Sequence, residues 1–150
     1  MTTISNFMSD DHRRCDDVFA EVEQALAAGD WAAASERFKH FHEGVLVHFA
    51  TEEALLFPAF ERKTGMTMGP TQVMRNEHVQ MRALMDAAAA SLAAGDAEGY
   101  SGNAETLLIM MQQHNMKEEN ILYPMCDQHL AAEADELVPQ LAAGLAGEAQ

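Results

Sequence analysis

Residues 48–58 read His48-Phe49-Ala50-Thr51-Glu52-Glu53-Ala54-Leu55-Leu56-Phe57-Pro58, and residues 114–124 read His114-Asn115-Met116-Lys117-Glu118-Glu119-Asn120-Ile121-Leu122-Tyr123-Pro124. The two stretches share His, Glu-Glu, Leu and Pro at the same positions, and an aromatic precedes each proline. Their offset is 114 − 48 = 66 residues. The same offset links His12 with His78, Asp11 with Glu77, and Gly29-Asp30 with Gly95-Asp96. The second half of the chain therefore restates the first without a gap from 11 to 60, the pattern of a duplicated unit.

Around these stretches the chain is rich in Ala, Leu, Met, Glu and Gln, and no alternating strand pattern appears. Gly29-Asp30 and Gly95-Asp96 each stop one helix and cap the next. Thr64-Gly65 and Gly69-Pro70-Thr71 mark a loop between the repeats. The spacing predicts helices over 5–28, 31–62, 71–94 and 97–128. A tail over about 131–146 carries Leu137, Leu141 and Leu145 at helical spacing, interrupted by Pro139. Long helices with short connections pack as antiparallel neighbours. The expected fold is all-α: an up-down-up-down four-helix bundle of two repeated hairpins, about 5–128, with a C-terminal tail. At 150 residues, 1–150 reads as a single domain.

Charge excludes some functions. Lys and Arg total 9 against 24 Asp and Glu, a formal charge of -15. Nucleic-acid binding rests on Lys and Arg displacing counterions from phosphates, and anionic membranes also attract basic residues. Neither partner is expected. No apolar run is long enough to span a bilayer, and no basic-apolar leader opens the chain. The two cysteines, Cys15 and Cys126, make no disulfide framework, so a reduced, cytoplasmic setting is the expectation. Most of the acidic residues read as solubilising surface.

The chemistry lies in the repeated His-x-x-x-Glu. Positions i and i+4 of a helix are neighbours on one face, so His48 with Glu52, and His114 with Glu118, can each reach one ion. Glu53 and Glu119 point about 100° further round, toward an outer shell, the surface or a partner helix. Each hairpin adds a histidine from its first helix, His12 or His78. The expected metal ligands are therefore His12, His48, Glu52, His78, His114 and Glu118. His12 and His48 would share one ion, His78 and His114 the other, with Glu52 and Glu118 bridging. Nitrogen and oxygen ligands suit iron, manganese or zinc, and the lack of thiolates excludes an iron–sulfur cluster. Six residues for two ions leave positions for water, oxide or a small diatomic ligand. His40, His42 and His129 have no repeat partner and read as outside the set. Tyr123 is expected mainly as a core aromatic matching Phe57, with a place near the site, helping in electron transfer or hydrogen bonding, as the alternative.

These motifs, over residues 10 to 128, resemble the hemerythrin-like, or HHE cation-binding, family. The resemblance implies a four-helix bundle around two iron ions, oxo- or hydroxo-bridged. It further implies a small diatomic or anionic ligand (O2, NO, azide-like). Oxygen-carrying members have His-x-x-x-His on the third helix, whereas Arg82 stands four residues after His78 here. Their second carboxylate lies five residues after its histidine, the place of Glu119; Glu118 keeps the repeat. Four histidines with two glutamates is more similar to iron-centre repair proteins of nitric oxide stress. The expected function is a non-haem di-iron protein binding O2 or NO for sensing, storage or scavenging, as a monomer or weak homo-oligomer. The alternatives are a redox enzyme acting on NO, O2 or peroxide, an iron donor in repair, and a module whose metal only holds the fold.

Overall fold

The computed structural model describes residues 3–149. Four long helical rods pack in an antiparallel bundle, joined by a short C-terminal helix. The first rod is α1, Ile4–Ala27. The second runs through α2, Trp31–Thr51, a π-helical turn, Glu52–Leu56, and α3, Phe57–Thr64. The third is α4, Pro70–Ala93. The fourth runs through α5, Ala97–Lys117, a second π turn, Glu118–Leu122, and α6, Tyr123–His129. The last helix is α7, Ala134–Leu145. No strand occurs among the described residues, and no helix there is long and apolar enough to cross a membrane.

The duplication extends to the turns. Gly29 and Gly95 take left-handed φ of 74° and 68°, a conformation a side chain would strain. The following Asp30 and Asp96 accept hydrogen bonds from the backbone N–H groups of Ala33 and Gly99, capping α2 and α5. The two hairpins therefore turn by the same chemistry.

The π turns are absent from the sequence-based helices 31–62 and 97–128, which read as unbroken α-helix. Their cause lies in Pro58 and Pro124. A proline inside an α-helix lacks the N–H that would bond four residues back, and its ring crowds that carbonyl. Widening the turn by one residue relieves both. Phe57 N–H bonds to Glu52 O, and Tyr123 N–H to Glu118 O, each five residues back.

The apolar interior is split in two. One cluster, with Phe19, Phe38, Phe41, Phe49, Met81, Met85 and Leu107, fills the end near the hairpin turns. The other, with Ile4, Met8, Leu56, Phe57, Phe60, Leu122 and Leu141, fills the opposite end. His12, His48, Glu52, His78, His114 and Glu118 form the layer between them.

The tail closes the second end. Leu141 is fully buried there, and Gly144 lies against Thr51 so tightly that a Cβ would come within 2.8 Å of its side chain. The expected interruption at Pro139 does not occur: α7 runs through it. Pro139 sits on the exposed face, opposite buried Leu137 and Leu141. Packing of that apolar face, rather than helix propensity, holds the helix together.

Candidate metal centre

All six candidate residues meet in the middle layer. His48, Glu52, His78, His114 and Glu118 are at most 2% exposed, and His12 is 5% exposed. Burying this many ionisable groups is costly unless each is paired or binds a metal. Each histidine is oriented from outside by a carboxylate. His12 Nδ1 donates to Glu119 Oε2 at 2.7 Å, and His48 Nδ1 to Asp11 Oδ2 at 2.8 Å. His78 Nδ1 donates to Glu53 Oε2 at 2.7 Å, and His114 Nδ1 to Glu77 Oε1 at 2.8 Å. A carboxylate only accepts, so each Nδ1 carries the proton and Nε2 turns inward as the free lone pair. These outer acids are held in turn: Asp11 by Arg14, Glu53 by Arg82 at 2.9 Å through both guanidinium nitrogens, and Glu77 by Lys117.

The repeat shows in how these pairs are shared. Asp11 with His48, and Glu77 with His114, lie within one hairpin. Glu53 with His78, and Glu119 with His12, cross between hairpins. Glu53 and Glu119, the residues following Glu52 and Glu118, thus each orient a histidine of the other hairpin. Arg82, four residues after His78, faces Glu53 and lies 5.5 Å over the Phe49 ring, outside the cluster.

Inside, the Nε2 atoms face carboxylate oxygens. His12 Nε2 lies 3.1 Å from Glu118 Oε1, His114 Nε2 3.3 Å from the same oxygen, His78 Nε2 3.2 Å from Glu52 Oε1, and His48 Nε2 3.5 Å from Glu52 Oε2. Donor atoms of Glu52, His78, His114 and Glu118 all fall within 4.8 Å of one another, as do those of His12, His48 and Glu118. Four atoms here are buried without any hydrogen-bond partner: Glu52 Oε1, His78 Nε2, His114 Nε2 and Glu118 Oε2. Unpaired buried polar atoms are rare and expensive.

Electrostatics gives the same message. For His48, burial opposes the charged form, but Glu52 and Asp11 outweigh it and push the pKa up to about 10. Burial likewise opposes charging His78 and His114, and the neighbouring carboxylates raise both. Burial opposes ionisation of Glu52, yet the histidines hold it well below the usual carboxylate range. The cluster demands positive charge. Protons on Nε2 supply part of that charge through the contacts with Glu52 and Glu118, but metal ions bonded to several lone pairs at once meet the charge demand and also serve Glu52 Oε1, His78 Nε2, His114 Nε2 and Glu118 Oε2 together. The donor set therefore fits a metal ion.

Tyr123 is the residue that sequence reasoning under-read. Its hydroxyl donates toward Glu52 Oε2 at 2.6 Å and Glu118 Oε1 at 2.9 Å, and lies 3.2 Å from His12 Nε2 and 3.3 Å from His48 Nε2. On an unbroken α-helix it would sit about 140° round from Glu118. The π turn brings it back to the same face. Burial, then the charges of Glu118 and Glu52, raise its pKa well above the usual phenol value. Its repeat partner Phe57 stacks near His78, with centroids 5.7 Å apart. The signal for this placement was Pro124.

His40 is exposed, His42 lies 3.5 Å from Asp86, and His129 packs near Phe60, so none of the three enters the cluster. No curated protein and no solved structure gives a match to the chain. A family model does, over residues 3–126. With its fold, its buried His/Glu layer and that match, the chain belongs to the hemerythrin HHE cation-binding domain family.

Proposed function

We propose that the middle layer holds two iron ions and binds a small diatomic or anionic ligand, O2 or NO, for sensing, storage or scavenging. One ion is held by His12 and His48 and the other by His78 and His114, with Glu52 and Glu118 bridging. The observation that carries this reading is the convergence of four Nε2 lone pairs and two carboxylates, with four of those atoms lacking any partner. The ions supply Lewis acidity and redox capacity when bound. The protein supplies orientation and exclusion of water: outer carboxylates fix each imidazole tautomer, and the two apolar clusters seal the layer.

The size of the ligand follows from the space available. A cavity of about 10 Å³, lined by His12, Cys15, Val45, His48, Phe49, Met111 and Asn115, adjoins the cluster. That is room for about one water, which favours a diatomic over any organic substrate. In the same reading the chain acts as one domain in the cytoplasm, as a monomer or weak homo-oligomer. The charge of -15 disfavours nucleic-acid and membrane partners.

The test is metal content of the protein purified from its host, with absorption spectra before and after azide, and of the reduced protein with O2 and NO. Two irons per chain and ligand-dependent bands are expected. One zinc and no colour would overturn the proposal.

A further inference from the structure

The phenolic oxygen of Tyr123 is placed as a fellow ligand rather than as an outer hydrogen-bond donor. Two donors bound side by side on one ion, with bonds of roughly 2.0–2.2 Å, lie about 3 Å apart. Tyr123 Oη lies 3.2 Å from His12 Nε2, 3.3 Å from His48 Nε2, 2.9 Å from Glu118 Oε1 and 2.6 Å from Glu52 Oε2. All four atoms belong to the half of the cluster built on His12 and His48, or to the carboxylates between the halves. An outer hydrogen-bond partner touches the far nitrogen of a ring instead, as the acceptors Asp11 and Glu119 do at Nδ1 of His48 and His12. One hydroxyl proton also cannot serve the carboxylates of Glu52 and Glu118 at once.

We propose that Tyr123 is a seventh protein ligand, bonding through its phenolate oxygen to the ion held by His12 and His48. The proposal rests on the di-iron reading above and deepens it. On loading, the Tyr123 O–H bond breaks, its proton is released to solvent in exchange for the entering ion, and the oxygen lone pair forms the bond to the ion. No electron moves in this step. In the related half the same position is Phe57, which has no oxygen to offer. The two ions thus differ in donor set. The Tyr123 ion has five protein donors, against four on its neighbour, and keeps fewer positions for an exogenous ligand. An anionic oxygen donor also stabilises the more highly charged, ferric state of the ion it binds.

The experiment is resonance Raman spectroscopy of the air-oxidised, iron-loaded protein, with natural and ring-deuterated tyrosine. The expected result is a visible phenolate-to-iron charge-transfer band whose enhanced ring modes shift with the label. Both vanish in Tyr123→Phe, which still retains two irons per chain. Tyr100 is the only other tyrosine and lies in the far apolar cluster, so the label reports on one residue even if the variant does not fold. Two irons without phenolate modes in the parent protein would overturn the ligand proposal and leave the di-iron reading standing. Phenolate modes that persist in Tyr123→Phe would overturn it too. A parent protein that takes up no iron would overturn both.

Discussion

Exchanging Glu118 or Glu119 for alanine separates the inward from the outward carboxylate. Glu119 Oε2 accepts from His12 Nδ1 at 2.7 Å, and its side chain is 37% exposed. Its loss leaves the imidazole ring in place but unfixed. Removing such an outer acceptor typically weakens metal binding by about 10–100-fold, or about 1.4–2.8 kcal/mol. Water can reach the partly exposed position and replace the lost acceptor, so about 10-fold is expected at the His12 side, with two ions still bound at saturation. Glu118 is fully buried and lies 3.1 Å from His12 Nε2 and 3.3 Å from His114 Nε2, so it serves both halves. Its loss is expected to reduce the stoichiometry to one ion or none, whatever the metal concentration. The assay is metal per chain at saturation, with affinity from competition against a chelator. If Glu119→Ala lost an ion while Glu118→Ala kept two, the assignment of inner and outer carboxylates would be wrong.

Removing the metal lowers thermal stability: an ion at a thousand times its Kd contributes about 4 kcal/mol. For a chain of this size that corresponds to a Tm drop of roughly 8–16 °C per site, to be read by circular dichroism with and without chelator. The metal-free protein also loses stability as pH rises. His48 is raised on folding from 6.5 to about 10, so its stabilisation is full below pH 6.5 and fades as pH climbs through about 10. Denaturant unfolding of the metal-free protein at intervals from pH 7 to 10 should show this decline, and a flat profile would contradict it. Gly144→Ala presses a methyl against Thr51, next to Glu52, with a Cβ 2.8 Å from Thr51 Cγ2 and Oγ1. Overpacking of this kind costs about 1–3 kcal/mol, visible as a lower urea midpoint with an unchanged slope.

The bundle was legible because its evidence is periodic. Glycine-aspartate turns, apolar spacing and the 66-residue offset all belong to local chain chemistry. The meeting of His12, His48, Glu52, His78, His114 and Glu118 was legible for the same reason, since His and Glu four apart share a helix face. Comparing the halves also concealed something. It picks out residues that match and discounts those that differ, so Tyr123 looked like a variant of Phe57 although a single oxygen changes its chemistry. The π turns were hidden because Pro58 and Pro124 read as repeat markers rather than as backbone obstacles. Glu53 and Glu119 read as outer-shell, surface or partner-helix residues, and they contact His78 and His12 of the other hairpin; which histidine each meets is set by packing that the sequence does not show. Pro139 misled for the opposite reason: a local rule predicted a break that docking of Leu137 and Leu141 overrides.

The crossing of Glu53 to His78 and of Glu119 to His12 bears on ancestry. Neither hairpin can orient both of its own histidines, because each relies on an acid carried by the other. A half-length ancestor with His12, His48, Glu52, Asp11 and Glu53 would meet every one of these needs only by pairing with its own copy, as a symmetric homodimer. Joining the two units in one chain makes that pairing intramolecular. It also lets the two halves differ in sequence, as Tyr123 and Phe57 do.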